Sequence, residues 1–363
     1  MRIAIDARII ASSTGRYVER LLHYLQELDH DNTYFVLLQD KDFREWKPTS
    51  PNFKRVRAPY PPYSFGEQLG LARLLRSLKP DLVHFTMPQQ PLLYRGRRIT
   101  TVHDLTLLRF RNPARSALGY TIKRSLFRIV LRRASRKSDT IIVPSMFVAQ
   151  DVAANLGVPV NKLVVTPEAA DPIADQPVAV KTLINKDFLL YVGNGAPHKN
   201  LRRLIDAFHK VKIKYPELQL VLVGKTNRYY EELADYVSGR SVSDVRFLGY
   251  QTDAQLRWLY EHALAYVFPS LSEGFGLPGL EAMQYGLPVL SSNATCLPEV
   301  YGDSALYFDP TSINDMAAAI TKLISSRKLQ RDLAKKGKAR TKLYSWEKTA
   351  QATLEAYQSS AGS

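Results

Sequence analysis

Two glutamates separated by seven residues stand out in the run FPSLSEGFGLPGLEAMQYGLPVLSS. Glu273 precedes a glycine-rich loop, and Glu281 is expected in the first turn of a helix that begins at Pro278 and ends at Gly286. The start of such a helix offers unpaired N–H groups and a partial positive charge, which attract an anion. This stretch can therefore hold a phosphate through backbone amides and sugar hydroxyls through carboxylates.

The two carboxylates admit other interpretations. They could form a general acid/base pair, as in glycoside hydrolases. Alternatively, Glu281 could be a charge that favours a helix N-terminus, and Glu273 could be a solvated loop residue. Because both flank the sequence FGLPG at the edge of an expected cleft, we favour contact with a ligand.

A second strand–loop–helix unit has the sequence LLYVGNGAPHKNLRRLIDAF. Gly193 and Gly195 follow its strand, and Lys199 precedes its helix. The glycines would let the backbone approach a phosphate, while the lysine would supply a point charge. An ordinary βα turn with a solvated lysine is the alternative. The spacing matches neither a P-loop nor a dinucleotide-binding fingerprint.

His103 and Asp104 end a predicted strand in the first half of the chain, at the edge where a cleft should lie. Such a pair could also be a simple loop hydrogen bond. The seven histidines and the single cysteine, Cys296, show no metal-ligand spacing, and no G-x-S-x-G elbow is present. We therefore expect neither a metal site nor a serine hydrolase.

The elements that position these residues indicate an α/β protein. A hydrophobic content of 45% is typical of a globular chain, and 363 residues suffice for two domains. Short strands alternate with helices in both halves, which predicts two doubly wound domains. We place them at residues 1–171 and 187–344, joined by a linker at 172–186. The default ligand site is then a cleft outside the carboxyl ends of the strands.

The chain carries a net charge of +16, concentrated in its first half. A predicted basic helix from Arg115 to Lys137 has apolar residues at helical spacing, so its arginines could be a solvated face. Attachment to an anionic membrane surface is the alternative, whereas no signature of nucleic-acid binding is present. No apolar run is long enough to cross a bilayer, and the N-terminus lacks the shape of a signal peptide. We expect a cytoplasmic protein, peripheral at the inner face of the plasma membrane if this helix binds lipid.

Taken together, these motifs resemble glycosyltransferase family 4, whose E-x7-E element matches the stretch with the two glutamates. The resemblance covers nearly the whole chain, because the supporting stretches occur in the order found in the family. They are MRIAIDAR at 1–8, TVHDL at 101–105, VPS at 143–145, YVGNGAPHKN at 191–200, LVLVGK at 220–225, VRFLGY at 245–250 and LPEVYGDSALYFDP at 297–310.

The resemblance implies a GT-B fold, in which two Rossmann-like domains face each other across a cleft. The first would bind the acceptor and the second the donor, and the last helix, within 345–363, would pack back on the first domain. It also implies transfer of a hexose from a nucleotide-diphosphate sugar with retention of configuration, without metal or cofactor. The acceptor would be a lipid-linked or glycan molecule of surface polysaccharide biosynthesis.

The sequence PHKN in the second unit resembles mannosyl- and rhamnosyltransferases, which favours GDP-mannose as the donor over a UDP-hexose. By the same resemblance, Glu273 would contact the donor sugar, Lys199 the diphosphate, and His103 the transferred sugar from the opposite domain. Glu281 would accept hydrogen bonds from the ribose hydroxyls. The other implied substrate-binding residues are Gly15, Gly193, Asn194, Arg203, Phe275, Gly276 and Leu277.

Two departures from the family pattern leave alternatives open. Asn194 stands where many members carry an arginine, for which Arg203 or Lys225 could substitute. The first βα loop has a single glycine, Gly15, followed by Arg16, where members often show a glycine pair. Asn194 motivates the hypothesis of a non-catalytic nucleotide- or sugar-binding scaffold. A sugar-nucleotide epimerase of the same fold, which would process the donor without an acceptor, is a further hypothesis.

Overall fold

The computed structural model describes residues 1–12, 14–62, 64–110, 117–240 and 242–361. The chain forms two compact units, each with its own sheet. The first unit comprises Met1–Leu108, Thr121–Glu168 and Ser345–Ser363, and the second comprises Arg109–Tyr120 and Ala169–Tyr344.

The first unit is built on a seven-stranded parallel sheet in the order β3-β2-β1-β4-β5-β6-β7. Helices cover both faces of such a sheet, so its inner strands read as continuous apolar runs. Ile3, Ala4 and Ile5, for example, have no exposed surface. The strands are β1 (Arg2–Asp6), β2 (Thr33–Leu38), β3 (Phe53–Arg57), β4 (Leu82–Phe85), β5 (Arg98–Thr101), β6 (Thr140–Val143) and β7 (Leu163–Val165).

Helices connect these parallel strands. Arg115, where the basic helix was predicted to begin, lies outside the described residues. In the described part of the chain the helices are α1 (Gly15–Leu28), α2 (Asp40–Glu45), α3 (Ala72–Leu78), α4 (Thr106–Arg109), α5 (Ala117–Lys137) and α6 (Met146–Leu156).

The second unit contains a six-stranded parallel sheet in the order β10-β9-β8-β11-β12-β13. Its strands are β8 (Phe188–Val192), β9 (Gln219–Val223), β10 (Val245–Gly249), β11 (Ala265–Phe268), β12 (Val289–Ser292) and β13 (Ala305–Phe308). Its helices are α7 (Leu201–Lys212), α8 (Arg228–Gly239), α9 (Asp253–His262), α10 (Leu277–Gln284), α11 (Leu297–Tyr301), α12 (Ile313–Ile324) and α13 (Arg327–Thr341).

The last helix, α14 (Trp346–Ala361), belongs to the first unit. The hydroxyl of Tyr357 lies 2.6 Å from Nδ1 of the buried His84 in β4. Thr349 donates a hydrogen bond to the carbonyl of Pro167, which follows β7. The C-terminal segment therefore completes the core of a unit that the N-terminal half begins.

The structure differs from the predicted elements mainly at the sheet edges. Strand β3 was missed because its sequence, FKRVR, is charged and buries fully only Phe53, as suits an edge strand. Strand β13, at the edge of the other sheet, was also missed. The sequence from Gln68 to Leu78 predicts one continuous helix, whereas the structure has a π-helical turn, Glu67–Leu71, followed by α3.

Candidate functional site

The loop between β11 and α10 has a backbone that requires glycine. Gly276 adopts φ +100°, in the left-handed region that glycine tolerates. A Cβ at this position would also lie only 2.6 Å from the hydroxyl of Tyr301 and 2.7 Å from Leu297. The same hydroxyl donates a hydrogen bond to the Gly276 carbonyl, which fixes the loop as α10 begins.

Glu281 lies inside α10, and its predicted place in the first turn is wrong. The helix begins at Leu277, one residue before the proline, so that Glu281 is its fifth residue and belongs to the second turn. The residue is 9% exposed, and Tyr260 donates a hydrogen bond from its hydroxyl to Oε2 at 3.0 Å. A neighbouring hydroxyl thus orients one oxygen of this carboxylate.

Lys199 and Glu273, two predicted catalytic residues, contact each other. Lys199 Nζ lies 2.6 Å from Glu273 Oε1, and both side chains are largely buried, with 18% and 13% of their surfaces exposed. The Glu273 backbone is held by Thr295, whose hydroxyl accepts from the Glu273 N–H at 3.2 Å, and by Cys296, whose thiol donates to its carbonyl. The structure therefore shows a charge pair between two loops, with the Glu273 loop held by hydrogen bonds to its backbone.

The two glycines before Lys199, Gly193 and Gly195, are packed closely against tyrosine side chains. A Cβ on Gly193 would lie 2.6 Å from the hydroxyl of Tyr191, and one on Gly195 would lie 2.6 Å from the ring of Tyr230. Tyr230 donates a hydrogen bond to the Gly193 carbonyl at 2.8 Å. Asn194, between the glycines, is exposed. Close tyrosine packing alone would thus favour glycine at both positions.

Three other predicted positions differ in their surroundings. Arg203 is exposed and donates from Nη1 to Asn200 Oδ1 at 2.9 Å, while Lys225 is exposed after β9. The ring of Phe275 is only 5% exposed and meets Tyr344 edge-on at 5.4 Å, so this ring belongs to the core. The predicted role of Phe275 concerned its amide, which this packing leaves open.

His103 occupies a polar position in the first unit. Its Nε2 lies 3.0 Å from the Thr86 carbonyl, and its Nδ1 lies 3.4 Å from Glu168 Oε1. Because each ring nitrogen faces an acceptor, the arrangement favours the imidazolium, in which both nitrogens donate. Burial alone lowers the pKa of His103, but the hydrogen bond and charge of Glu168, together with Thr86 and Asp104, raise that pKa above its ordinary value. The ring of Tyr17 packs edge-on against the imidazole at 4.9 Å.

A buried hydrogen-bonded chain supports Tyr17. Its hydroxyl lies 3.1 Å from Thr101 Oγ1, which lies 2.8 Å from His84 Nε2. His84 Nδ1 in turn contacts Tyr357 of α14. Burial, with the nearby His103, lowers the pKa of His84 to about 3, so His84 is neutral and serves as one donor and one acceptor.

Two other predictions in the first unit have local explanations. Asp104 Oδ1 accepts a hydrogen bond from the Thr106 N–H at 2.7 Å, which is the loop hydrogen bond considered as the alternative for the His103–Asp104 pair. A Cβ on Gly15 would lie 1.8 Å from the Ile10 carbonyl, so the first turn of α1 requires glycine there.

Sequence reasoning missed Glu168, Thr86 and Tyr260, which contact the predicted site residues. Glu168 follows β7 and Thr86 directly follows β4, so the strand-end rule that selected His103 could have found both. No local signal marks Tyr260 of α9, because it meets Glu281 only in the folded chain. Among the described residues, no group of three or more His, Cys, Asp or Glu side chains could hold a metal ion.

Comparisons with known proteins agree with these motifs. The family model described as Glycosyltransferase Family 4 matches residues 14–173, and the model described as Glycosyl transferases group 1 matches residues 177–340. The O-antigen chain mannosyltransferase B of Escherichia coli is 31% identical over 277 residues, which cover 72% of this chain and 70% of that protein.

Two solved structures are similar over almost their whole length. Sucrose-phosphate synthase from Thermosynechococcus elongatus has a TM-score of 0.79 at 19% identity, covering 99% of this chain and 98% of its own. Anabaena Alr3699/HepE in complex with UDP-glucose has a TM-score of 0.75 at 18% identity, covering 99% and 100%. At these identities the likeness shows the fold, which is GT-B with two Rossmann-like α/β domains. The family matches and the E. coli relative establish that this chain belongs to glycosyltransferase family 4 and is a glycosyltransferase.

Proposed function

We propose that this glycosyltransferase moves a hexose from a nucleotide-diphosphate sugar to a lipid-linked or glycan acceptor of surface polysaccharide biosynthesis. Transfer proceeds with retention of configuration and without a metal ion. The observation that carries the proposal is the Lys199–Glu273 pair at 2.6 Å, beside a loop whose Gly276 leads into α10. This arrangement brings a cation from the loop after β8 to a carboxylate and a helix start in the segment after β11.

The chemistry of the donor assigns a task to each of these groups. When the bond between the anomeric carbon and the phosphate oxygen breaks, its electron pair leaves with the nucleoside diphosphate, and the sugar gains oxocarbenium character. Lys199 and the amides at the start of α10 stabilise the negative charge that develops on the leaving group. Glu273 contacts the sugar, and Glu281 accepts hydrogen bonds from the ribose hydroxyls. His103 contacts the transferred sugar.

We further propose GDP-mannose as the donor. The PHKN sequence and the name of the E. coli relative, a mannosyltransferase, support this choice. A UDP-hexose is the second candidate, since the similar Anabaena protein was solved with UDP-glucose.

A thermal-shift screen with GDP, UDP, ADP and dTDP tests the nucleotide, because a ligand that binds only the folded state raises the melting temperature. We expect the largest rise with GDP. Release of GDP from GDP-mannose is then measured with and without a mannose oligosaccharide. Acceptor-dependent release supports a transferase, whereas conversion of the donor alone indicates an epimerase, and tight binding without turnover of any donor indicates a scaffold.

We also propose that α5 attaches the protein to an anionic membrane surface. Its side chains are described for residues 124, 125 and 127–137. Phe127 and Leu131 are buried, while Ile129 is 59% exposed. Arginine and lysine flank this isoleucine on the exposed side of the helix, at positions 124, 128, 132, 133, 136 and 137. Within the described part of the chain, no helix combines the length and apolar composition needed to cross a bilayer.

Liposome sedimentation tests this attachment. Vesicles with anionic lipid should pull down the protein at low salt and release it at high salt, since screening weakens electrostatic attraction. The double variant Arg124→Glu/Arg128→Glu should bind much less. Lys328→Glu/Lys335→Glu, which makes the same charge change on exposed positions of α13, is the matched control. Equal binding to neutral vesicles would refute the electrostatic account.

A further inference from the structure

Thr295 has a backbone conformation that is unfavourable for its residue type. Its φ is +55°, in the left-handed region, where a β-branched side chain is strained. Among the described residues, five other than glycine have a positive φ, and Thr295 is the β-branched one of the five. Such strain persists where the surrounding structure has a use for it, so the outlier points to a function.

The strain arises in a tight turn between β12 and α11. The turn runs from Ala294 to Leu297, and the Leu297 N–H donates to the Ala294 carbonyl at 3.3 Å. A positive φ at the second residue, with φ −76° and ψ −10° at Cys296, resembles a type II′ turn. The second residue of such a turn is usually glycine, asparagine or aspartate. The turn alone therefore does not explain why threonine stands here.

The side chains of this turn hold the backbone of Glu273. Glu273 lies in an irregular segment between β11 and α10, rather than in a helix or a strand. Thr295 Oγ1 accepts from its N–H at 3.2 Å, and Cys296 Sγ donates to its carbonyl at 3.3 Å. Burial raises the pKa of the Cys296 thiol, which keeps this donor protonated. Two consecutive side chains thus supply partners for both backbone polar groups of one residue.

These two hydrogen bonds restrict the direction of the Glu273 side chain. A residue that is held at both its N–H and its carbonyl cannot rotate freely about φ and ψ, so its Cα–Cβ bond points one way. The Glu273 carboxylate, 13% exposed, then meets Lys199 at 2.6 Å. At the other end of the same loop, Tyr301 of α11 donates to the Gly276 carbonyl. Thr295 therefore serves the end of the loop that carries the charge pair.

We propose that Thr295 is a positioning residue for transfer: its hydroxyl holds the Glu273 N–H and thereby directs the Glu273 carboxylate toward the donor sugar. The strained backbone brings this hydroxyl to Glu273, which accounts for a threonine at a position that favours glycine. The proposal rests on the proposed function, in which Glu273 contacts the sugar.

Amide exchange measures the hydrogen bond independently of turnover. The full-length protein is labelled with 15N-glutamate, and exchange of the Glu273 N–H is followed by 1H–15N NMR. Thr295→Val keeps the shape of the side chain without its hydroxyl, so this amide should exchange roughly tenfold faster. Thr295→Ser keeps the hydroxyl and should exchange as the unaltered protein does. Circular dichroism and thermal melting check the fold of each variant.

The transfer assay measures the consequence for catalysis. Thr295→Val should lower kcat for GDP-mannose by roughly tenfold, because a misdirected catalytic group loses rate. The dissociation constant of GDP, measured by calorimetry, should be unchanged, since GDP lacks the sugar that Glu273 contacts. Thr295→Ser should restore the rate.

Thr295→Gly separates the hydroxyl from the strain. Glycine suits φ +55° but offers no acceptor, so this variant should melt at a higher temperature than Thr295→Val and be equally slow. Full turnover by Thr295→Gly would overturn the proposal, because the hydroxyl would then be dispensable.

Ser292→Ala is the matched control for general loosening of the turn. The Ser292 hydroxyl accepts from the Ala294 N–H at 3.0 Å, within the same segment as Thr295. Its loss should leave kcat within about twofold, as for a single hydrogen bond away from the reacting groups. An equal loss of kcat in Ser292→Ala and Thr295→Val would refute a specific role for Thr295.

A double variant tests whether Thr295 acts through Glu273. In a Glu273→Ala background, Thr295→Val should lower kcat no further, since residues that act as one unit are not additive. A further tenfold loss would mean that Thr295 acts by another route.

Unchanged exchange of the Glu273 amide in Thr295→Val, or unchanged kcat in that variant, would also overturn the proposal. Failure of the proposed function would look different. In that case the unaltered protein would turn over no nucleotide sugar, while exchange of the Glu273 amide would still depend on the Thr295 hydroxyl.

Discussion

Each unit of this glycosyltransferase holds a charge pair that includes a predicted catalytic residue, and the two pairs are built differently. In the second unit, Lys199 Nζ lies 2.6 Å from Glu273 Oε1 and 5.7 Å from the centre of the Phe268 ring. In the first unit, His103 has an acceptor at each ring nitrogen, Glu168 on one side and the Thr86 carbonyl on the other. The lysine pair joins two residues of the family motifs. The histidine pair joins one motif residue to Glu168, which lies outside these motifs.

The two pairs should respond differently when a ligand binds. A lysine ammonium sits on a flexible stem and has three donors, so Lys199 can exchange Glu273 for a diphosphate oxygen. The His103 ring is planar, is held at both nitrogens and packs against Tyr17, so its orientation is fixed. We infer that the lysine pair opens for the donor, whereas the histidine pair persists and sets a protonation state.

Removing the Lys199 cation should impair the enzyme most. Lys199→Ala should lower kcat by roughly 10²–10³, the usual loss when one group that stabilises developing charge is removed. The measurement is the release of nucleoside diphosphate under saturating donor. The control is Lys186→Ala, an exposed lysine just before β8, which should retain full activity. A Lys199→Ala variant with unchanged turnover would mean that the pair with Glu273 is only structural.

The second prediction concerns the fixed pair and its pH dependence. Glu168→Gln replaces the carboxylate with an amide that can donate to Nδ1, which permits a neutral imidazole. The pKa of His103 should therefore fall, and the alkaline limb of the kcat–pH profile should move to lower pH. Titration of the His103 ring followed by 1H–15N NMR gives the pKa directly, with Glu19→Gln on the exposed side of α1 as the control.

The free energy of unfolding should also depend on pH through the pKa of His103. Because the folded-state pKa of His103 is raised, its stabilising contribution is complete below the unfolded pKa and is lost as pH rises through the folded pKa. In Glu168→Gln this dependence should shrink. An unchanged His103 titration in this variant would show that Glu168 does not set the protonation state, and the contrast with the lysine pair would disappear.

The same contrast explains what the sequence could predict. Around Gly276 the backbone itself demands particular residues: a glycine at positive φ and a proline in the first turn of α10. Such demands leave a local pattern in the sequence. The loop with Glu273 and the helix with Glu281 could therefore be located from the sequence. The depth of Glu281 in the helix was misjudged because helix starts are uncertain by a residue.

The surroundings of His103 leave a weaker signal in the sequence. Strand ends mark Glu168 and Thr86 as candidates, but the sequence does not say which residue each of them contacts. The partner Glu168 lies far along the chain, and the hydrogen bonds behind Tyr17 end at Tyr357 in the last helix, so these contacts are set only when distant segments fold together. The charged edge strand β3 was missed for a related reason, since a strand with one fully buried residue has little periodicity to detect.

The weakest effect should come from a change beside Glu281, and it tests whether this carboxylate needs a fixed orientation. Tyr260→Phe removes the hydroxyl that donates to Glu281 Oε2 at 3.0 Å and keeps the ring, which stacks on Tyr285 at 5.6 Å. The carboxylate then loses one restraint, so its proposed contact with the ribose hydroxyls should weaken. We expect KM for the donor to rise roughly three- to tenfold with little change in kcat, as for loss of a single hydrogen bond that acts equally in the ground and transition states.

Tyr285→Phe is the matched control, because it removes a hydroxyl from the same stacked pair. That hydroxyl accepts from the Ile173 N–H at 2.7 Å and is not hydrogen-bonded to Glu281. If Tyr285→Phe raised the donor KM as much as Tyr260→Phe, general loosening of the stack would explain both changes. If only Tyr260→Phe does so, Glu281 needs a fixed orientation. The second unit then has a carboxylate held in place beside its Lys199–Glu273 pair, and fixed pairing is not confined to the first unit.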